Sequence, residues 1–350
     1  MVKEQFLSKI KERIEPENWA EGIEMPLELM GATHEDPAIL ADLAYRSIIT
    51  AKQFDQEQVI QLCRLAAKFE TQQHMGQFPL TGKILISAFY EPSTRTRLSF
   101  ESVWQRLGGD IISITDPSTT GIAKGESYQD VAEMMNHYGD LVVLRDSNED
   151  AIFQMVDALR IPIVNAGNGT DEHPTQALAD MYALFKWRPD LLNGDVPEDK
   201  KITVCIIGIP GRMRTVRSLL SFLSLFSDGI KEVIIVCNIK DPFSDGQQQE
   251  LEESGLNLKV VNDLDKVLPT CDMVYINAIA WVGDSYEEHG TEYCLSTASP
   301  LKEGAIILHP LARGDELSTD LDETEHNWYF AQARGAVYMR MALLSTLMRF

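Results

Sequence analysis

The sequence predicts an α/β fold of two doubly wound parallel-sheet domains, and two observations carry that prediction. Short, nearly all-apolar runs of strand length, at 83–89, 110–115, 140–144 and 162–165, alternate with stretches of helical periodicity. The same alternation restarts at 202–208, after the segment WRPDLLNGDVPEDK (187–200), whose Pro, Gly and Asp content reads as a linker. Ligands of such sheets bind beyond the strand C-termini. The residues just after each strand are therefore the first candidates for chemistry.

The composition narrows the function classes. A chain of 350 residues with 44% hydrophobic and 24% charged residues is long enough for two ordinary cores. Its formal net charge of −22 opposes nucleic acid and anionic membrane as partners, and no basic run offsets it. The same charge repels anionic substrates at a distance, so any anion site must rest on locally placed arginines. Five widely spaced cysteines without CxxC or Cys/His metal spacing read as small core residues in a reducing compartment. No signal pattern and no apolar run of spanning length is present, which predicts a cytoplasmic protein without a metal site.

Residues 1–45 form a charged, then mixed extension, with an amphipathic helix predicted over 6–14 and a turn-rich patch around Pro26, Gly31 and Pro37. From Asp55 the spacing of Val59, Ile60, Leu62, Cys63, Leu65, Ala66 and Phe69 predicts a core helix. The strand 83–89 runs into Pro92 and the helix start STRTR (93–97), with Leu98, Val103, Trp104 and Leu107 expected on its buried face and Gly108-Gly109 at its end. A helix start carries unpaired N–H groups and partial positive charge. Hydroxyls at Ser93, Thr94 and Thr96, with Arg95 and Arg97, would surround a bound dianion with donors. An ordinary Ser-capped helix with solvated arginines is the alternative.

After strand 110–115, the loop DPSTTGIAKGESYQD holds Lys124, either solvated or a ligand-binding lysine, and opens into a helix through Met134 and Met135. Arg145 follows strand 140–144, a helix is expected over 151–159, and NAGNGTDE leads from strand 162–165 to His173-Pro174-Thr175-Gln176. Pro174 suits a first helical turn, and Leu178, Met181, Tyr182 and Phe185 mark the buried side of that helix. His173 and Gln176 could face one ligand from the helix start, or His173 could be a capping or core residue.

The second half predicts strands at 202–208, 232–237, 258–261, 273–277 and 305–308, with helices between, and a final apolar helix over 335–348 that docks elsewhere. The expected division is an extension at 1–45, domains at 46–187 and 188–330 joined by a helix, and a C-terminal helix at 331–350 packing back on the first domain. GIPGRMR, after the strand at 202–208, is not GxGxxG, and the next strand ends at Asn238 rather than at an acid. That argues against a nicotinamide cofactor. Arginine at this turn suggests carboxylate or phosphate.

From about residue 45 onward the chain resembles the aspartate and ornithine carbamoyltransferase superfamily. STRTR at 93–97, the Lys124 loop, Arg145, HPTQ at 173–176, Arg214 and HPLAR at 309–313 stand in that family's order and spacing. NAGNGTDEHPTQAL and HPLARGDELSTDLDETEHNWYFAQA resemble the catalytic chain of the aspartate branch. The resemblance implies transfer of the carbamoyl group of carbamoyl phosphate to an amino-acid co-substrate without metal or organic cofactor. L-Aspartate is the expected acceptor, giving N-carbamoyl-L-aspartate and phosphate in pyrimidine biosynthesis.

By the same resemblance Ser93, Thr94, Arg95 and Thr96 hold the phosphate, and Arg145 bridges phosphate and carbonyl oxygen. Thr96, Arg145 and His173 polarise that oxygen. Gln176 and the carbonyls of Pro310 and Leu311 bind the carbamoyl NH2. Arg214, paired with Glu91, binds a carboxylate of the second substrate. Thr120 and Lys124 come from a neighbouring subunit of a homotrimer, and nothing indicates whether a regulatory subunit exists.

Two departures stand out. Ala278 and Ala280 occupy the positions of the aspartate branch's RxQ motif, while Asn277 and Trp281-Val282-Gly283 do not match the ornithine branch. Arg212, Arg217 or Lys124 would then have to supply the missing cation, or the acceptor is another amine. Ala312 replaces the family's cis proline, so Leu311–Ala312 is either cis or part of a reshaped loop. A catalytically silent paralogue that binds carbamoyl phosphate is the reading from a different class.

Overall fold

The computed structural model describes residues 24–71, 78–192, 194–277 and 293–348. The helix predicted over 6–14 lies outside these residues, as do Ala278, Ala280, Trp281, Val282 and Gly283. The patch around Pro26 and Gly31 is a helix, α1 (Glu24–Ala32), with Pro26 in the first turn, where its missing N–H is not needed. Short α2 (Pro37–Ala41) follows, capped by the Asp36 side chain. Both pack on α3 (Gln56–Thr71), whose buried row includes Val59, Leu62, Cys63 and Ala66.

The first sheet has order β2-β1-β3-β4, all parallel, from β1 (Ile84–Phe89), β2 (Asp110–Ile114), β3 (Leu141–Asp146) and β4 (Ile163–Asn168). Its helices are α4 (Thr94–Arg106), α5 (Tyr128–Met135), α6 (Ala151–Ala158) and α7 (Pro174–Trp187). The second sheet has order β7-β6-β5-β8-β9, again parallel, from β5 (Ile202–Ile207), β6 (Ile230–Val236), β7 (Leu258–Val261), β8 (Met273–Ile276) and β9 (Ile306–Leu308). It carries α8 (Arg214–Leu225), α9 (Gln247–Glu253) and α10 (Leu264–Val267) before the last helix, α11 (Tyr329–Leu347). Strand order reverses between β1 and β3 and between β5 and β8. Open sheets bind ligands at such points.

The structure corrects four local expectations. Strand β4 runs on to Asn168 because Asn165 and Asn168 are buried and paired: Asn165 Nδ2 donates to Ile49 O and to Asn168 Oδ1, both at 2.8 Å. Polar residues satisfied inside a sheet leave no hydrophobic signal. Leu98 is 49% exposed, and the buried face of α4 is Thr96, Phe100, Val103 and Trp104. Two positions from Phe100 is the opposite side of a helix.

Helix α11 begins at Tyr329 and passes through Gly335 instead of starting there. A Cβ on Gly335 would lie 3.0 Å from Tyr182 Cδ1, so glycine lets α11 lie close on α7. The segment read as a linker is anchored, with Leu191, Leu192 and Val196 buried. Cys63, Cys205, Cys237 and Cys271 form no disulfide, and among the described residues no helix is long and apolar enough to cross a membrane.

Helix α11 packs back on α3, α4 and α7 as expected, and Arg340 Nη1 donates to Ser99 Oγ at 2.7 Å. A buried ionic knot pins this junction. Glu70 of α3 accepts from Tyr182 OH at 2.6 Å and Lys186 Nζ at 3.1 Å on α7, and pairs with Arg334 of α11 at 3.3 Å. Removing one partner of a buried pair leaves charge uncompensated. Lys186→Met should therefore lower unfolding free energy by roughly 3 kcal/mol, read from the denaturant midpoint.

Candidate active site

Where the C-terminal ends of the two sheets face each other lies a cavity of about 400 Å³. Three helix N-termini line it: Ser93, Thr94, Arg95 and Thr96 open α4, His173 and Gln176 open α7, and Arg214 and Thr215 open α8. Arg145 near the end of β3, Asn277 beyond β8, and Pro310 and Leu311 beyond β9 complete the wall. Unpaired N–H groups, helix dipoles and three arginines thus converge on one space. In a chain of net charge −22 this is a local concentration of positive charge.

Ser93 is the N-cap of α4 but makes no side-chain capping bond, so its hydroxyl is not spent on its own helix. The capped-helix alternative is thereby set aside. Arg97 does not face the cavity, however. It pairs with Glu101 at 3.0 Å, one turn along α4, which also accepts from Ser87 and Ser113.

Glu91, just past β1, orders the arginines. Its carboxylate accepts from Arg145 Nη2 at 2.5 Å and from Arg214 Nη2 and Nη1 at 3.0 and 3.1 Å. Burial opposes its ionisation, but the hydrogen bonds and charges of Arg214 and Arg145 outweigh this and hold the carboxyl below its ordinary value. Arg145 is itself pulled down by burial and by Arg214. Its Nε is buried without a hydrogen-bond partner among the described residues.

His173 is the N-cap of α7 but makes no side-chain cap, and its backbone N–H donates to Ser218 Oγ at 3.0 Å. Ser218 in turn donates to Glu172, which also accepts from Thr50 and from Ala51 N. Burial first, then Arg214 and Arg145, push the imidazole well below its ordinary 6.5. It is neutral at neutral pH and can donate one N–H to a carbonyl oxygen.

Gln176 Nε2 donates to Asp180 Oδ1 at 2.8 Å. Burial pushes the Asp180 carboxyl up to about 6, against the pull of its hydrogen-bond donors. The Leu311–Ala312 peptide is cis, settling the alternative posed by Ala312. Leu311 N donates to His309 Nδ1 at 2.8 Å, so the ring carries its proton on Nε2, 2.9 Å from Glu316 Oε1.

Thr120 and Lys124 are not brought to this cavity. Thr120 Oγ1 donates to Pro117 O at 2.7 Å, and Lys124 is exposed at the end of the short turn Gly121–Lys124. Arg212 is exposed, and Arg217 pairs with Asp171 at 3.1 Å on the wall of a separate cavity, so neither stands in for the missing cation here. The sequence reading missed Thr215 and Asn277, joined by a 2.9 Å bond from Asn277 Nδ2, and it missed Asp180. Asn277 ends a predicted strand and Asp180 lies one turn after Gln176, so position alone could have found both.

Residues 46–186 match the family model described as the carbamoyl-P binding domain of aspartate/ornithine carbamoyltransferase, and residues 200–347 match its Asp/Orn binding domain. The chain belongs to the aspartate/ornithine carbamoyltransferase family. Among carbamoyltransferases it is 38% identical over 272 residues to the aspartate carbamoyltransferase catalytic subunit of Korarchaeum cryptofilum, covering 76% of this chain and 87% of that one. The chloroplastic aspartate carbamoyltransferase of Arabidopsis thaliana is 34% identical over 315 residues, covering 86% and 77%. The solved aspartate transcarbamoylase of Trypanosoma cruzi in complex with aspartate and phosphate superposes with a TM-score of 0.81 at 31% identity, covering 89% of this chain and 98% of that one. The chain's aspartate-branch character and its two-sheet carbamoyltransferase fold are thus established, and α1 and α2 precede the matched region.

The depressed His173 has a thermodynamic consequence. Below pH 6.5 the unfolded chain takes a proton that the folded imidazole refuses, so stability is lost as pH falls through that range. The wild-type protein should lose up to about 1.4 kcal/mol per pH unit more than His173→Gln as pH falls from 6.5 toward 5. Denaturation at a series of pH values measures the difference in slope.

Proposed function

We propose that the protein is the carbamoyltransferase that joins carbamoyl phosphate and L-aspartate to give N-carbamoyl-L-aspartate and phosphate. The observation that carries this reading is the lining of the cavity. Donors from Ser93, Thr94, Arg95, Thr96 and Arg145 share one wall with a neutral His173, Gln176 and the 310–311 loop. A ligand that joins a dianion to a carbonyl bearing an NH2 group matches that set.

In this reading the α4 N-terminus and Arg95 hold the phosphate, and Arg145 spans phosphate and carbonyl oxygen. Thr96, Arg145 and His173 stabilise that oxygen as the amine attacks and it gains charge. Gln176 and the Pro310 and Leu311 carbonyls accept from the carbamoyl NH2. Arg214 takes a carboxylate of the acceptor, held in place by Glu91. The C–N bond forms as the C–O bond to phosphate breaks, and the amine's proton can leave with the phosphate. No side chain serves as nucleophile, no metal or organic cofactor is needed, and holding two reactants together supplies much of the rate.

The carbamoyl-phosphate domain is 46–187 and the amino-acid domain 188–330. Exposed Lys124 and half-buried Thr120, outside their own chain's cavity, serve the site of a neighbouring copy in a cytoplasmic homotrimer. Lys124→Ala and Arg95→Ala chains, each inactive alone, should then regain partial turnover when dissociated and reassembled together. No recovery would sink the shared site.

Incubation with carbamoyl phosphate and L-aspartate should release ureido product and phosphate, and Arg145→Ala should cut kcat by roughly 10²–10³-fold. Ala278 and Ala280, in place of the aspartate branch's RxQ motif, favour one second reading, a different acceptor amine. Turnover with another amine in an assayed panel, and none with L-aspartate, would select it. Carbamoyl phosphate binding without turnover on any amine would select the silent paralogue.

A further inference from the structure

Asp180 lies one turn after Gln176 on α7, buried among three donors on three elements. Gln176 Nε2 and Gln332 Nε2 of α11 donate to its Oδ1 at 2.8 and 2.5 Å, and Tyr275 OH of β8 donates to Oδ2 at 3.1 Å. Asp180 is 1% exposed, Gln332 1% and Tyr275 0%. No solvent is at hand to substitute for a wrong partner.

A side-chain amide has a donor end and an acceptor end of nearly equal shape, and the end that meets a ligand is decided by what the other end meets. Gln332 is fixed independently, because its Oε1 accepts from the His309 N–H at 2.8 Å. Its NH2 must therefore face Asp180. An ionised carboxylate only accepts, so it admits the NH2 of both amides and refuses either oxygen. For Gln176 this leaves Oε1, which has no partner among the described residues, as the end available to the cavity that Gln176 lines. The same Gln332 also anchors the 309–311 loop, where Leu311 N donates to the His309 ring.

We propose that Asp180 is a positioning residue that makes the donor site select a carbamoyl group over an acyl group of the same shape, by presenting Gln176 to the substrate's NH2 as an acceptor. The inference rests on the carbamoyl phosphate reading given above. Acetyl phosphate is the discriminating ligand, because it keeps the phosphate and the carbonyl and replaces the NH2 with a methyl group. Asn is nearly isosteric with Asp and keeps one acceptor oxygen. In Asp180→Asn the fixed Gln332 NH2 holds that oxygen where both amides meet it, and the new NH2 can donate to Tyr275 OH, so Gln176 keeps its direction. Asp180→Ala removes the acceptor and leaves the Gln176 NH2 to turn toward the substrate's own NH2.

The test is calorimetric affinity of the full-length protein for carbamoyl phosphate, acetyl phosphate and inorganic phosphate, in the wild type, Asp180→Asn and Asp180→Ala. The wild type should prefer carbamoyl over acetyl phosphate. In Asp180→Ala that preference should fall roughly tenfold and in Asp180→Asn it should be kept, while inorganic phosphate binding stays within about twofold in both. In a Gln176→Ala background, Asp180→Ala should change the preference no further.

A preference retained in Asp180→Ala, or equal weakening of all three ligands, would overturn the positioning role in favour of a structural one. Absence of any preference in the wild type would instead strike the carbamoyl phosphate reading itself. Should Asp180→Ala fail to fold, Asp180→Leu, which fills the volume without an acceptor, decides by the same comparison.

Discussion

The structure depends on one carboxylate placed between two arginines that come from different sheets. Arg145 ends a strand of the first sheet and Arg214 opens a helix of the second, and both close on Glu91. Without an anion between them, two half-buried guanidinium groups and the neighbouring Arg95 would repel one another. Glu91 offsets that repulsion when the cavity holds no ligand, and in doing so it holds the two topological switch points face to face. The arginines are thereby set before any substrate arrives, which spares the reaction the cost of ordering them.

The surrounding packing serves that alignment. Gly335 brings α11 onto α7, and the Glu70, Lys186, Tyr182 and Arg334 group locks α11 to α7 and α3. Helix α7 carries His173 and Gln176 at its start, and Pro174 through Lys186 are buried. A helix enclosed on all faces has little freedom to tilt, so side chains in its first turn hold their positions closely. The Glu172, Ser218 and Thr50 contacts fix the same turn from the other side.

Much of this was legible in the chain. Apolar runs located the strands because a parallel sheet is covered on both faces, and strand ends located Arg145, Arg214 and the STRTR start. What failed to show was of three physical kinds. Buried polar residues, such as Asn165 and Asn168, extend a strand while reading as loop. Residues two apart on a helix, Arg95 and Arg97, diverge although they look like a pair, and Leu98 was miscounted for the same reason. A glycine inside α11 looked like a helix start because its use lies in a contact with Tyr182, a long-range fact. Thr120 and Lys124 were found only as motif positions, and their own chain's fold leaves them outside the cavity.

The chemistry left to such a site is constrained by what its buried groups can ionise to. His173 is held neutral by burial and two arginines, so it offers a hydrogen bond without adding a fourth full positive charge. Asp180 is held by three donors outside the cavity lining, so it can direct an amide without placing a carboxylate in the cavity. The carboxylate nearest the arginines, Glu91, is consumed by them. The result is a space where three arginines share the wall with neutral groups and no carboxylate is among the described lining residues. Such a lining suits an uncharged amine and a polarised carbonyl, because a strong base or nucleophile among the arginines would quench their charge.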